Sequence, residues 1–252
     1  MGLAIMRHSL LGQIARWPLR LVPRGLVVPV LTGSLRGSRW TVGAGTHGCW
    51  LGTYELSKQR AFSRAIRQGS VVLDIGANCG FYTLLAAKCC GPNGRVFAFE
   101  PMPSNVIQLN RHVRLNRLNN VVVFPIAVAS ESGHAHFSNA IGSEFGRLDA
   151  SGELIVETAS LDELRRNSVI PRPDVMKIDV EGAEEAVLRG AISVLHDDRP
   201  ELFLAVHGSE LLRICLRILE QVAYDTRVET TEDGMYEVFG SPRTEAASVS
   251  RA

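Results

Sequence analysis

An α/β fold with a mostly parallel, seven-stranded sheet and helices on both faces is what this sequence predicts, and three observations predict it. Residues 71–75 read Val-Val-Leu-Asp-Ile, an apolar run of the kind that forms a buried parallel strand. Gly76 and Gly80 then frame a tight turn into a helical pattern from Tyr82 to Cys90, the first half of a nucleotide-binding βαβ unit. Strand and helix patterns keep alternating as far as Phe124, which requires a parallel sheet with right-handed crossovers. The length of 252 residues, with 46% hydrophobic and 21% charged residues, suits one α/β domain with an extension.

Residues 1–54 form that extension. They hold no acid and six arginines. Leu3, Met6, Leu10, Ile14 and Trp17 follow helical spacing, so a short amphipathic helix is expected up to Pro18. Its apolar face packs on its own domain or a second copy, or makes a peripheral membrane contact. A Gly-rich stretch follows, with a short hairpin expected over Ser38–Val42. A helix is expected from Glu55 to Arg67, stopped by Gly69.

The catalytic unit is expected over 55–240. Its second strand is Arg95–Glu100. Ser104 suits the N-cap of a helix over Asn105–Asn116, and Val121–Phe124 is the third strand. Residues 125–172 break the alternation and read as an antiparallel insertion that forms part of an acceptor pocket, with strands at His134–Ser138 and Leu154–Ala159. Ser160 caps the short helix after it. Val175–Gly182 is the fourth strand and its end, and a helix follows over Ala183–Leu195, with Glu184 and Glu185 in its first turn, where acids suit the helix dipole. Glu201–Val206, a helix over 209–221 and strands near 226–230 and 235–240 complete the sheet, the last two joined at Asp233-Gly234. From Ser241 the chain is expected to be a disordered tail.

Net charge is +1, so bulk charge predicts neither nucleic-acid nor membrane binding. Five cysteines with no C-x-x-C pair argue against a disulfide framework or zinc site and for a reducing, cytoplasmic setting. No apolar run reaches the length of a spanning helix.

The chemistry is expected at the strand tips. A dinucleotide fingerprint is G-x-G-x-x-G, whereas here the order is Asp74, Gly76, Asn78, Gly80. The acid precedes the turn and is placed to receive an ammonium group, which a dinucleotide does not carry. S-adenosylmethionine carries an amine, a sulfonium and a ribose. Glu100 ends the second strand, where a carboxylate accepts two ribose hydroxyls. In the fourth strand, Lys177, Asp179 and Glu181 share one side by strand alternation. A lysine in an apolar strand is costly unless paired, so a Lys177–Asp179 or Lys177–glutamate contact is expected. His207 stands at the tip of the fifth strand.

Three blocks in order, Val72–Phe81, Phe97–Pro101 and Lys177–Glu184, resemble the FkbM-type family of S-adenosylmethionine-dependent methyltransferases. Gly52-Thr53-Tyr54-Glu55 resembles that family's opening motif. The resemblance implies a class I methyltransferase (Rossmann-like) sheet and methyl transfer to a hydroxyl of a sugar, glycan or secondary metabolite. It implies that Glu55, Asp74, Gly76, Asn78, Gly80 and Glu100 hold S-adenosylmethionine and that Asp179 and Glu181 border the transfer site. The family's late fifth-strand glutamate is absent, since that place reads Leu204-Ala205-Val206-His207.

A hydroxyl acceptor must lose a proton. Asp179 or His207 is expected to take it, with Lys177 positioning the carboxylate. A magnesium ion on Asp179 and Glu181 is an open alternative, as is a homodimer. The rival functions are an NAD-dependent oxidoreductase and a catalytically silent S-adenosylmethionine-binding protein.

Overall fold

A computed structural model of the chain describes residues 19, 21–139, 146–148, 154–231 and 234–243. The helix expected over Leu3–Trp17 and the Asp233 half of the last turn lie outside them.

The central sheet contains β3 (Val71–Ile75), β4 (Arg95–Phe99), β5 (Val121–Phe124), β10 (Val175–Ile178), β11 (Glu201–Val206), β12 (Tyr224–Thr230) and β13 (Tyr236–Pro242). Their order across the sheet is β12-β13-β11-β10-β3-β4-β5. The five strands from β11 to β5 run parallel, and β13 pairs antiparallel with both β11 and β12. The chain winds outward from β3 to β5, then returns to β10 on the other side of β3. That reversal opens a crevice beyond the strand tips, the usual ligand position in such sheets.

Strand parity divides the core. Leu73, Ile75, Phe97, Phe99, Met176 and Ile178 face one layer, which contains α5 (Leu161–Arg166), α6 (Glu184–Arg189) and α7 (Ser209–Gln221). Val72, Val96, Val175 and Phe203 face the other, with α2 (Leu56–Ala65), α3 (Phe81–Cys90) and the extension. Each fully buried aliphatic side chain contributes roughly 1.5–3 kcal/mol.

The extension's hairpin pairs β1 (Val27–Pro29) with β2 (Arg39–Thr41). The expected Ser38–Val42 hairpin is thus only its second strand. A short helix, α1 (His47–Leu51), leads on to α2. The insertion adds a second sheet, β6 (Ala127–Val128), β9 (Leu154–Ala159), β7 (Gly133–Asn139) and β8 (Gly146–Leu148), in that order. Only the β6–β9 pair is parallel.

Three expected boundaries change for physical reasons. Helix α4 (Pro103–Leu115) starts with proline in its first turn and Met102 as N-cap, so Ser104 caps nothing; a proline ring suits that first position. The helix expected to run to Leu195 stops at Gly190. A Cβ there would lie 2.0 Å from the Ala129 carbonyl oxygen, so the insertion packs directly on the backbone. Ser241 and Pro242 belong to β13 rather than to a tail, because Gly240 to Pro242 pair with Tyr224 to Thr226. Ser160 does cap α5, accepting the Glu163 N–H at 3.2 Å.

Candidate active site

One cavity lies beyond the tips of β3, β4 and β10. The glycine turn, Glu100 and Asn105 line it together with Lys177, Asp179 and Glu181. Trp40, Tyr54, Phe81 and Tyr82 supply aromatic wall, and Ile126–Val128 bring in the start of the insertion.

Glu100 is buried and well supplied with donors. Its Oε2 accepts the Asn78 N–H at 2.8 Å, and its Oε1 accepts the Met102 N–H at 2.9 Å and the Asn105 amide at 3.3 Å. A carboxylate offers about four acceptor positions, so one remains for a hydroxyl instead of the expected pair. Burial raises the Glu100 carboxyl above its ordinary value, against the pull of those donors.

The glycine turn is sterically fixed. A Cβ on Gly76 would lie 1.8 Å from the Asp179 carbonyl oxygen, and φ there is +76°. Gly80 N-caps α3, and its bare Cα lets Leu109 of α4 close on the turn. Neutral His112 ties this turn to the extension. Its Nδ1 lies 2.7 Å from the Cys79 carbonyl, its Nε2 accepts the Thr41 N–H at 3.0 Å, and its ring stacks on Trp40. Burial drives its pKa down to about 4, outweighing the Cys79 hydrogen bond, with Arg111 adding to the fall.

Asp74 is not where an ammonium reader belongs. It alternates with Leu73 and Ile75, so it faces the α2–α3 layer and is fully buried. Its Oδ2 accepts the Thr83 hydroxyl at 2.6 Å, and its Oδ1 lies 3.3 Å from Lys177 Nζ. Lys177 and Asp74 are register partners on the parallel β10–β3 pair. Glu55 is likewise outside the cavity lining. It precedes α2 at φ +44° and accepts the Tyr82 hydroxyl at 2.7 Å.

Lys177 does reach Asp179, at 3.6 Å. A second cation that sequence reasoning missed, Lys58 of α2, approaches the same Oδ2 at 3.9 Å and pairs with Glu237 of β13 at 2.7 Å. Helical periodicity marks Lys58 only as a face residue; besides Glu55 three positions back, its partners Asp179 and Glu237 lie more than a hundred positions away. Burial pushes the Asp179 carboxyl up, but Lys177 and Lys58 outweigh it and hold it below its usual range. His207 has a carboxylate at each nitrogen: Glu184 Oε1 lies 2.7 Å from Nδ1, and Glu181 Oε2 lies 3.2 Å from Nε2. Burial disfavours its charge, yet these acids raise its pKa overall. Both residues expected to act as the base are thus already engaged.

Among the described residues seven non-glycine residues take positive φ; two of them line this cavity, Asn78 at 49° and Glu181 at 52°, and Glu55 at 44° lies outside its lining. Such strain in an L residue persists where surrounding structure enforces it, and it concentrates at functional sites.

Asp179, Glu181 and His207 bring one ligand atom each within 4.8 Å of one another. Their charges are already met by Lys58, Lys177 and the imidazole. A donor set facing two ammonium groups fits a hard divalent cation poorly, and magnesium has no support here.

Residues 74–227 match the family described as Methyltransferase FkbM domain. Hexuronic acid methyltransferase AglP of Haloferax volcanii is 30% identical over 130 residues, covering 51% of this chain and 52% of that protein. 2-O-methyltransferase NoeI of Sinorhizobium fredii is 26% identical over 149 residues, covering 51% and 60%. The match spans between half and three fifths of these curated relatives. Two crystal structures share the fold. Precorrin-6y C5,15-methyltransferase of Geobacter metallireducens has a TM-score of 0.51 at 15% identity, covering 75% of this chain and 90% of that one. Methyltransferase FkbM of Methylobacillus flagellatus has a TM-score of 0.50 at 15% identity, covering 77% and 55%. The matched span holds more than half of the chain, including the glycine turn, Glu100 and the Asp179–His207 cluster, and the chain belongs to the FkbM family of S-adenosylmethionine-dependent methyltransferases.

Proposed function

We propose that this chain methylates a hydroxyl oxygen of a sugar or glycan. The observation that carries the reading is the single cavity joining Glu100 and the glycine turn to Lys177, Asp179 and Glu181. The two sugar-directed or 2-O-directed relatives support the acceptor class. Bound S-adenosylmethionine supplies a methyl group on a sulfonium, which becomes a neutral thioether on transfer.

The chain's own residues then have three tasks. Glu100 binds the ribose through its remaining acceptor position, and the Gly76–Gly80 backbone and Tyr54 receive the amino-acid end. Lys177 keeps Asp179 charged and still beside the glycine turn. The aromatic wall and Ile126–Val128 exclude water, so that aligning acceptor and methyl group does most of the catalytic work.

Calorimetric titration with S-adenosylhomocysteine and with NAD, followed by radiolabelled methyl transfer to a panel of glycosides with free hydroxyls, tests the reading. Binding of the former and label on an acceptor oxygen are expected. NAD binding without S-adenosylhomocysteine binding overturns it. Full turnover in chelator is expected, and loss restored by magnesium would reinstate a metal.

A further inference from the structure

Glu181 stands at the cavity, and behind it runs a line of polar groups into the protein. Glu181 Oε2 meets His207 Nε2 at 3.2 Å, and His207 Nδ1 meets Glu184 Oε1 at 2.7 Å. Glu184 is fully buried at the start of α6. The same Oε1 accepts the Gly182 N–H at 3.0 Å, so the carboxylate is clamped from two sides. Nδ1 is hydrogen-bonded to one carboxylate and Nε2 lies within ion-pair distance of another, so the two acids favour a ring that carries a proton on each nitrogen. Glu181 itself holds φ +52° between the β10 tip and Gly182, and its side chain remains about a third exposed. His207 is absent from the cavity lining, while Glu181 is part of it.

We infer that Glu184 and His207 are positioning residues that aim Glu181 into the cavity, where Glu181 takes the proton of the acceptor hydroxyl. Only the last step rests on the methyl-transfer reading. As the acceptor oxygen bonds to the methyl carbon, the carbon–sulfur pair returns to sulfur and the hydroxyl proton passes to a Glu181 oxygen. Glu181 suits this better than Asp179. Burial and the nearby Asp179 and Glu184 charges raise its affinity for a proton, against His207 and Lys177, whereas Asp179 is held down by two ammonium groups. The other groups facing the line are Lys177 from β10 and Cys215 from α7, the latter neutral because burial and Glu184 push its thiol up to about 12.

Nitrogen-15 NMR of labelled full-length protein tests the line without any acceptor. In the wild type both His207 nitrogens should be protonated at pH 7, and the ring should titrate above its ordinary value. Glu184→Gln and Glu181→Gln should each lower that titration by about one unit, a tenfold change in proton affinity, and Glu184→Asp should recover part of it. A wild-type His207 that titrates at or below the ordinary value overturns the inference. So does a Glu184→Gln protein with an unmoved titration, and the wild-type measurement stands even if that variant does not fold. On an acceptor that turns over, Glu181→Gln should lose roughly a hundredfold or more in kcat with KM little changed. A smaller loss removes Glu181 as base. If S-adenosylhomocysteine does not bind while His207 behaves as expected, the methyl-transfer reading fails and the positioning pair stands.

Discussion

Lys177 and Asp74 are register partners on adjacent parallel strands, their charged groups 3.3 Å apart and both sealed from solvent. A buried pair of this kind is costly to break from one side, because the remaining charge has no water to return to. Lys177→Met should destabilise the protein by about 3–5 kcal/mol in urea unfolding. Asp74→Asn should cost less, since an amide oxygen still accepts the Thr83 hydroxyl now bonded at 2.6 Å.

His112 gives the fold an acid-side weakness. Its folded pKa, about 4, lies below the ordinary 6.5, so the unfolded chain binds more protons between those values. The contribution is fully present above pH 6.5 and is lost as pH falls towards 4. Unfolding free energy should drop by about 3 kcal/mol across that window from this residue alone. His112→Gln should flatten this part of the profile, measured by denaturant unfolding at a series of pH values.

Glu100 should dominate donor affinity. Glu100→Ala removes an acceptor and leaves the Asn78 and Met102 N–H groups, now bonded at 2.8 and 2.9 Å, without a partner. Calorimetry with S-adenosylhomocysteine should show affinity at least tenfold weaker, corresponding to about 1.4 kcal/mol or more, with a retained circular dichroism spectrum. Wild-type affinity in Glu100→Ala would remove this residue from the donor site.

Gly76→Ala should be the most damaging single methyl group in the turn. It would press on the Asp179 carbonyl oxygen, 1.8 Å from the new Cβ, in a backbone conformation unfavourable to alanine. A fall in Tm of many degrees, or failure to fold, is expected. Gly182→Ala is a contrast, because nothing lies within 4 Å of its added Cβ although its φ is also positive. It should retain the native fold.

The buried strands were legible because a strand covered on both faces leaves an uninterrupted apolar signature: β3, β5 and β11 begin and end where the sequence pattern does, while β4 stops at Phe99 and β10 at Ile178, before the acids that follow them. Glu100 and the Lys177–Asp179 contact were legible for a related reason, as each is a polar residue at or near a strand tip. The partner of Asp74 was not legible, because it depends on which face the side chain takes and on a lysine 103 positions away. The stop at Gly190 depends on the backbone of Ala129, and Lys58 depends on Glu237 and Asp179. Local pattern carries none of these partners. Glu184 looked like a helix-start acid, and its role appears only when β11 brings His207 beside it.

The Lys58–Glu237 bridge joins positions 179 apart, and the same ammonium approaches Asp179. During synthesis the nucleoside-binding half is translated well before the closing antiparallel strand. Until that strand docks, Lys58 lacks its 2.7 Å partner and keeps only the longer contacts to Glu55 at 3.7 Å and Asp179 at 3.9 Å. The charge setting around Asp179 is therefore finished last, and a truncation ahead of β13 should leave it incomplete at a centre that strand never touches in sequence.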